Sequence, residues 1–391
     1  MSLPALGDLD SVAGARVLAR LDLNVPLRDG AVLDDTRIVA ALPTLRWLTE
    51  RASVVAACSH LGKAKGVPEP TYSLAPVAVA LEKALGRSVR FVPDCLDTVS
   101  DVEPGSLVLL ENLRFHPGEK ANNPDFAARL SEPYSHYVND AFGTAHRAHA
   151  SVEAAARRYP KGRKAAGFLM EREVAALARV VDDPEQPFVA VVGGAKVSTK
   201  TAPLDALLGR VSALLIGGGM ANTFFLAQGL EVGRSLVEVE MLDTARLVLA
   251  AANRRGIDLV LPADVVVADA IDTPGRVEVV ASNAIPPELM VVDIGPQARA
   301  RFRDVLSGAR TVFWNGPMGV FEVPEYAAGT LAVAQALAAS PAFSVVGGGE
   351  SVMAVRQAGV IDDIDHVSTG GGASLQFITG ESLPAIAALE S

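Results

Sequence analysis

Cysteine is almost missing from this chain of 391 residues: only Cys58 and Cys95 occur, with no C-x-x-C spacing. That excludes a disulfide framework and a cysteine-rich zinc site. Positive charge is not in excess either, since the formal net charge is −10. Binding to nucleic acid or to an anionic membrane needs the opposite sign, so any basic site has to be local. No apolar run reaches the roughly 18 residues of a membrane span. The N-terminus has no basic flank followed by an apolar stretch, so no signal peptide is read and a cytoplasmic protein is expected. Three nucleotide fingerprints are also absent: the Walker A loop, the protein-kinase catalytic set and the G-x-G-x-x-G turn. A nicotinamide-dependent dehydrogenase would need that last turn and an acidic residue about 20 positions on, so its absence argues against that reading. No Ser–His–Asp signature occurs.

What is present is apolar sequence in regular alternation. Half the residues are hydrophobic, ample for the two domains that this length implies. Strand-like runs at Arg16–Leu21, Ser53–Cys58, Ser106–Leu110 and Tyr134–Val138 alternate with helical stretches such as Thr36–Arg51 and Ala75–Leu85. Strands spaced by helices of this length indicate parallel βαβ units, hence an α/β fold. From Glu171 to Val181 apolar positions recur three and four apart, until Asp182-Asp183-Pro184 stops the pattern. This stretch is the candidate for a helix joining the domains.

Four glycine clusters each follow an apolar run in the second half: Gly193-Gly194, Gly217-Gly218-Gly219, Gly347-Gly348-Gly349 and Gly370-Gly371-Gly372. Glycine after a strand lets the backbone turn and approach a ligand. Amides at a helix start then bind anions, phosphate above all. The recurrence points to a nucleotide crevice at the carboxyl ends of a parallel sheet.

The first half places basic groups at its strand ends. Arg37 opens a helix, His60 and Lys63 follow the second strand, Arg114 the third and Arg147 the fourth. With Asp22 and Asn24 after the first strand, these form a basket for a small multiply charged anion, which the planar fork of arginine suits. In the second half Lys196 and Lys200 are four apart after a strand. On the first turns of a helix they share a face, where an anion relieves their repulsion. Trp314-Asn315-Gly316-Pro317-Met318-Gly319-Val320-Phe321-Glu322 is an apolar loop ending in a carboxylate, suited to ribose hydroxyls. Gly349-Glu350-Ser351 offers a carboxylate and a hydroxyl at a helix start, suited to a metal and phosphate. His146 and His149 are three apart, but no carboxylate or cysteine at zinc spacing supports a metal there.

The chain resembles the phosphoglycerate kinase family from Arg16 to its C-terminus. The stretches that carry the likeness are Arg20-Leu-Asp22-Leu-Asn24-Val-Pro26, Ser59-His60-Leu-Gly62, Leu110-Glu-Asn112-Leu-Arg114-Phe115 and Asn139-Asp140-Ala-Phe-Gly-Thr-Ala-His146-Arg147-Ala-His149. Further on they are Gly193-Gly-Ala-Lys196-Val, Gly217-Gly-Gly-Met220-Ala, Trp314 to Glu322, and Ser368-Thr369-Gly-Gly-Gly-Ala-Ser374.

The resemblance implies phosphoryl transfer between 1,3-bisphosphoglycerate and MgADP, giving 3-phosphoglycerate and MgATP. It implies two Rossmann-like domains closed by a hinge motion, and a monomer with small-molecule partners only. By that likeness residues 1–168 bind 3-phosphoglycerate, 169–184 form the interdomain helix, 185–372 bind the nucleotide, and 373–391 return to the first domain. Asp22, Asn24, Arg37, His60, Lys63, Arg114 and Arg147 correspond to the substrate site. Gly194, Lys200, Gly219, Glu322, Gly348, Gly349, Glu350 and Ser351 correspond to the nucleotide site, with Glu350 near its Mg²⁺. Arg37, Lys196, Lys200 and the amides of Gly371 and Gly372 surround the transferred phosphoryl group. Three positions depart from the family pattern. Lys63-Ala64 replaces Arg-Pro, Thr199 replaces an Asp between the two lysines, and Glu350 replaces an Asp.

Overall fold

A computed structural model describes residues 3–97, 102–273 and 275–391. The chain divides into two compact units, Met1–Ala175 with Ser382–Ser391, and Ala176–Glu381. The first unit holds β1 (Arg16–Leu21), a short hairpin of β2 (Leu27–Arg28) and β3 (Ala31–Val32), then β4 (Val54–Cys58), β5 (Arg90–Val92), β6 (Ser106–Leu110), β7 (His136–Asp140) and β8 (Lys164–Ala166). Six of these form a sheet in the order β5-β6-β4-β1-β7-β8, with every pairing parallel. A strand covered on both faces is apolar throughout, and β4 is buried at all its positions. The register sets Arg20 beside Cys58 on one side and Asn139 on the other. The loops after β1, β4 and β7 therefore leave the sheet at one edge.

The fourth strand lies two residues later than the sequence pattern suggests. Tyr134 uses its N–H to close a turn on Ser131 O at 3.0 Å, so pairing begins only after that turn. In the same unit Leu383, Ile386 and Leu389 of the C-terminal segment are buried. The helix Pro384–Glu390 is fastened at both ends: Ala385 N donates to Ala145 O at 3.1 Å and Lys164 Nζ to Ala388 O at 2.8 Å.

The second unit holds β9 (Phe188–Val192), β10 (Ala213–Ile216), β11 (Asp258–Val260), β12 (Asp264–Ala268), β13 (Val277–Ala281), β14 (Met290–Ile294), β15 (Thr311–Asn315), β16 (Phe343–Gly347) and β17 (His366–Val367). Its parallel sheet runs β11-β10-β9-β15-β16-β17. The order reverses direction between β9 and β15, which is where a crevice opens in such folds. Beside it, β13-β12-β14 form an antiparallel sheet that the βα alternation does not reveal. β13 alternates between exposed and half-buried positions, as an edge strand with one wet face does. Helix Gly372–Ile378, which overlaps the stretch 373–391 expected to return to the first domain, groups with the second unit. There Arg210 Nη1 donates to Ile378 O at 3.1 Å.

The helix Phe168–Val181 carries residues of both units. It starts three residues before its apolar periodicity does, because its first turn is capped from a distance. Thr44 Oγ1 accepts from Phe168 N, and Asp140 Oδ1 from Met170 N, each at 3.0 Å. No helix among the described residues is long and apolar enough to cross a membrane.

Candidate functional site

In the first unit the residues at the strand ends converge. Asp22, following β1, accepts from the Arg37 guanidinium. Asn24 Oδ1 accepts from Gly62 N at 2.8 Å, which ties the first loop to the second. Arg114 Nη1 donates to Gly62 O at 2.6 Å, which ties in the third. The Arg114 segment is itself folded on Asn112, whose Oδ1 accepts from Leu61 N and Arg114 N at 3.2 and 3.0 Å. Arg147 and Lys63 are exposed. Arg147 Nε donates to His146 Nε2 at 3.2 Å, so that nitrogen carries no proton.

Two features make this basket electrostatically suited to an anion. Arg114 is 5% exposed, yet its Nε and Nη2 have no acceptor in the protein. Burial, followed by the charges of Arg147 and Arg20, pulls its pKa down to about 10. Secondly, the histidines are held neutral. Burial and then Arg20, Arg114, Arg147 and Arg37 push His60 well below its ordinary value. Burial, with Arg114 next, lowers His149 to about 3. Cations crowded with so few counter-charges are stabilised by an incoming anion.

Beneath the basket lies a buried network that the motifs do not assign. Arg20 is wholly buried and donates to Ser151 Oγ at 2.8 Å, with Nη2 3.3 Å from His60 Nδ1. Ser151 Oγ in turn donates to Glu119 at 2.6 Å. The only sequence signal was a charged residue inside the apolar run of β1.

In the second unit the glycine clusters pack on the loop Gly316-Pro317-Met318. Gly194 N donates to Pro317 O and Gly218 N to Met318 O, at 2.9 and 3.0 Å. Gly218 has φ +69°, and a Cβ there would lie 2.7 Å from both Gly194 N and Pro317 O; only glycine fits. Helices Gly219–Ala227, Gly349–Gln357 and Gly372–Ile378 start after Gly218, Gly348 and Gly371. None of the three has a side-chain cap, although in the first of them Met220 N already donates to Gly194 O at 2.9 Å and Ala221 N to Gly218 O at 3.0 Å; an uncapped helix start of this kind suits an anion.

Two cavities lie here. One of about 410 Å³ is bordered by Gly194, Gly218, Gly219, Val320, Glu322 and Glu350. The other, about 290 Å³, gathers Lys200, Gly348, Gly349, Glu350, Gly371 and Gly372. Lys200 donates to Asn315 Oδ1 at the end of β15. Burial lowers its pKa while the charge of Glu350 opposes that shift. Lys196 is exposed and borders neither cavity. The helix begins only at Thr201, so the two lysines sit on a turn and not on a helical face. Glu238 holds that turn by accepting from Ser198 N and Oγ at 3.0 and 2.6 Å, a role no motif signals. Ser351 is turned inward, its Oγ accepting from Gly316 N at 2.6 Å.

Comparison with known proteins agrees along the whole chain. A model of the phosphoglycerate kinase family matches residues 6–381. The chain is 51% identical over 379 residues to a phosphoglycerate kinase of Thermomicrobium roseum, covering 96% of each. It is 48% identical over 394 residues to one of Moorella thermoacetica, covering 100% of this chain and 99% of the other. Solved phosphoglycerate kinases of Coxiella burnetii and Pyrococcus horikoshii are also similar. The first has TM-score 0.91 and 43% identity, over 100% of this chain and 99% of that one. The second has 0.85 and 34%, over 99% and 98%. The loops gathered around Arg114, the glycine-started helices and these matches have one common explanation: the chain belongs to the phosphoglycerate kinase family.

Proposed function

We propose that the chain is an active phosphoglycerate kinase. It transfers a phosphoryl group reversibly between 1,3-bisphosphoglycerate and ADP, giving 3-phosphoglycerate and ATP. The observation that carries this reading is Arg114, buried among other cations with two donors unused. A carboxylate or phosphate supplies the acceptors those donors lack.

In this reading Asp22, Asn24, Arg37, His60, Lys63, Arg114 and Arg147 hold the glycerate. Asp22 orients Arg37, and neutral His60 serves as a hydrogen-bonding group and not as an acid. The nucleotide lies along Gly194, Gly219 and Glu322, with its phosphates toward Lys200, Gly348, Gly349, Glu350 and Ser351. Glu350, on the first turn of a glycine-started helix beside open space, fits the hard oxygen donor that Mg²⁺ requires. Mg²⁺ held there with the nucleotide would supply positive charge against the phosphates.

Toward ATP consumption the nucleophile is a carboxylate, ionised at neutral pH, so no general base is required. What remains is positioning and electrostatics. Arg37, Lys196, Lys200 and the amides of Gly371 and Gly372 stabilise the charge that develops on the transferred group. Because the two ligands are assigned to different units, in-line transfer needs those units brought together and water kept out. The helix shared by both, Phe168–Val181, is the connection through which that hinge motion passes. A cytoplasmic monomer acting on small molecules completes the reading.

Steady-state assay with 3-phosphoglycerate, ATP and Mg²⁺ tests it. Turnover with saturation in both substrates is expected. Nucleotide binding by calorimetry with no turnover means instead a nucleotide-binding relative without the activity.

A further inference from the structure

Outside the residues assigned to glycerate and nucleotide, one cluster of metal-binding side chains stands out. Asp94 and Cys95 follow β5, and His116 closes the turn that carries Arg114. A carboxylate oxygen, the Cys95 sulfur and a ring nitrogen of His116 all lie within 4.8 Å of one another. His116 Nε2 is 2.8 Å from Asp94 Oδ1. The ring is tilted on Phe126, with centroids 5.4 Å apart, so its plane is supported from one side. Cys95 is 4% exposed, whereas the Asp94 and His116 side chains are 43% and 28% exposed. The cluster is therefore closed beneath, at the sulfur, and reachable from water above.

We propose that Asp94, Cys95 and His116 bind a borderline-soft divalent cation, Zn²⁺ by ligand chemistry, with water as the fourth ligand. Sulfur and imidazole together favour Zn²⁺ over Mg²⁺, which takes oxygen ligands in octahedral array. Tetrahedral zinc with one sulfur and two light ligands separates its donor atoms by about 3.3–3.7 Å. The Asp94–His116 contact thus opens by about half an ångström while the sulfur draws in, a change within side-chain rotation. Only the thiolate ligates, so binding forms a sulfur–metal bond and releases the Cys95 thiol proton to solvent. No oxidant or reductant is involved. The metal would cross-link the end of β5 to the Leu113–Lys120 segment, which carries Arg114 and Glu119.

The test uses full-length protein, stripped of metal and free of nucleotide, titrated with Co²⁺ as a spectroscopic stand-in for Zn²⁺. Expected are one equivalent bound, a near-ultraviolet cobalt–thiolate charge-transfer band, and loss of that band on adding Zn²⁺. Cys95→Ser abolishes the band, and Cys58→Ser leaves it. His116→Gln and Asp94→Asn weaken binding by about tenfold or more, at least the scale seen when outer partners of a metal ligand are lost. These last two positions are half-exposed, so they keep the test decisive if Cys95→Ser fails to fold. Binding without a thiolate band, or equal affinity in wild type and His116→Gln, overturns the proposal and leaves Asp94–His116 as an ordinary ion pair.

Discussion

Replacing Arg114 with methionine separates the stability of the cationic basket from its proposed function. In the ligand-free protein the guanidinium makes one hydrogen bond, to Gly62 O, and buries Nε and Nη2 without acceptors. The fall of its pKa from the ordinary guanidinium range to about 10 corresponds to about 3 kcal/mol of charge stabilisation lost on folding. For a cation whose folded pKa lies below its unfolded one, folding opposes the charged form. The penalty is complete below about pH 10 and fades only as pH rises above that, toward the ordinary guanidinium range. Methionine keeps most of the side chain's length and removes the charge. Losing the bond to Gly62 O offsets about 1 kcal/mol of the gain. The ligand-free variant should therefore be about 1–2 kcal/mol more stable than wild type at pH 7 by urea unfolding, in line with other buried charges replaced by apolar groups. The same substitution should weaken 3-phosphoglycerate by about 1.5–3 kcal/mol, the scale of a charge-assisted hydrogen bond. That is about 10- to 150-fold in Kd by titration calorimetry, with ADP binding nearly unchanged. A folded variant less stable than wild type by more than about 1 kcal/mol would refute the idea that these donors are an unrecovered cost. A 3-phosphoglycerate affinity within threefold of wild type would remove Arg114 from the ligand site.

Lys200→Ala should lower kcat by about 10²-fold or more, the effect of losing a preorganised charge, while the Kd for ADP from calorimetry changes less; kcat within about threefold of wild type would make it a structural lysine. Asp293, which accepts from Gly329 N at 2.6 Å, has its pKa raised to about 7 by burial. The folded state therefore holds a proton that the unfolded chain has already released, and stability falls as pH rises. From pH 5 to pH 8 this group removes about 2–3 kcal/mol. Asp293→Asn keeps the acceptor and should flatten that part of the slope in urea unfolding at the two pH values; an unchanged slope means the carboxyl titrates normally. Glu350→Gln should raise the Mg²⁺ concentration needed for half-maximal activity and lower kcat, with Glu350→Asp near neutral or faster. If Gln matches wild type at limiting metal, Glu350 is only the first residue of a helix.

The sheets were legible because β-branched runs ending in glycine or in a charged residue fix both strand and exit point. Once strands are parallel, their loops share an edge. That is why Asp22, Arg37, His60 and Arg114, up to 92 residues apart in sequence, lie in connected loops. What could not be read is what holds those residues. Arg20 and Ser151 are 131 positions apart and meet only through the register of β1 and β7. Lys200 and Asn315 are separated by 115. The lysine pair was misjudged as helical because spacing alone does not say where a helix begins. Ser198 bonding to Glu238 keeps the preceding turn out of the helix. The antiparallel sheet escaped because its strands carry the same apolar signal as the parallel ones.

The fastening of helix Pro384–Glu390 within the first unit has a consequence for biosynthesis. The second unit is one unbroken stretch, Ala176–Glu381, whereas the first is assembled from both sides of it. During translation the later-made unit has all its residues before the earlier-made one does. Until Ser382–Ser391 emerges, the surface that will cover Leu383, Ile386 and Leu389 stays open, and Lys164 has no carbonyl of Ala388 to meet. The loop at Ala145, next to His146 and Arg147, is likewise without its partner amide of Ala385. A nascent chain thus lacks these contacts, and the Ala145 loop its partner, until Ser382–Ser391 has been made.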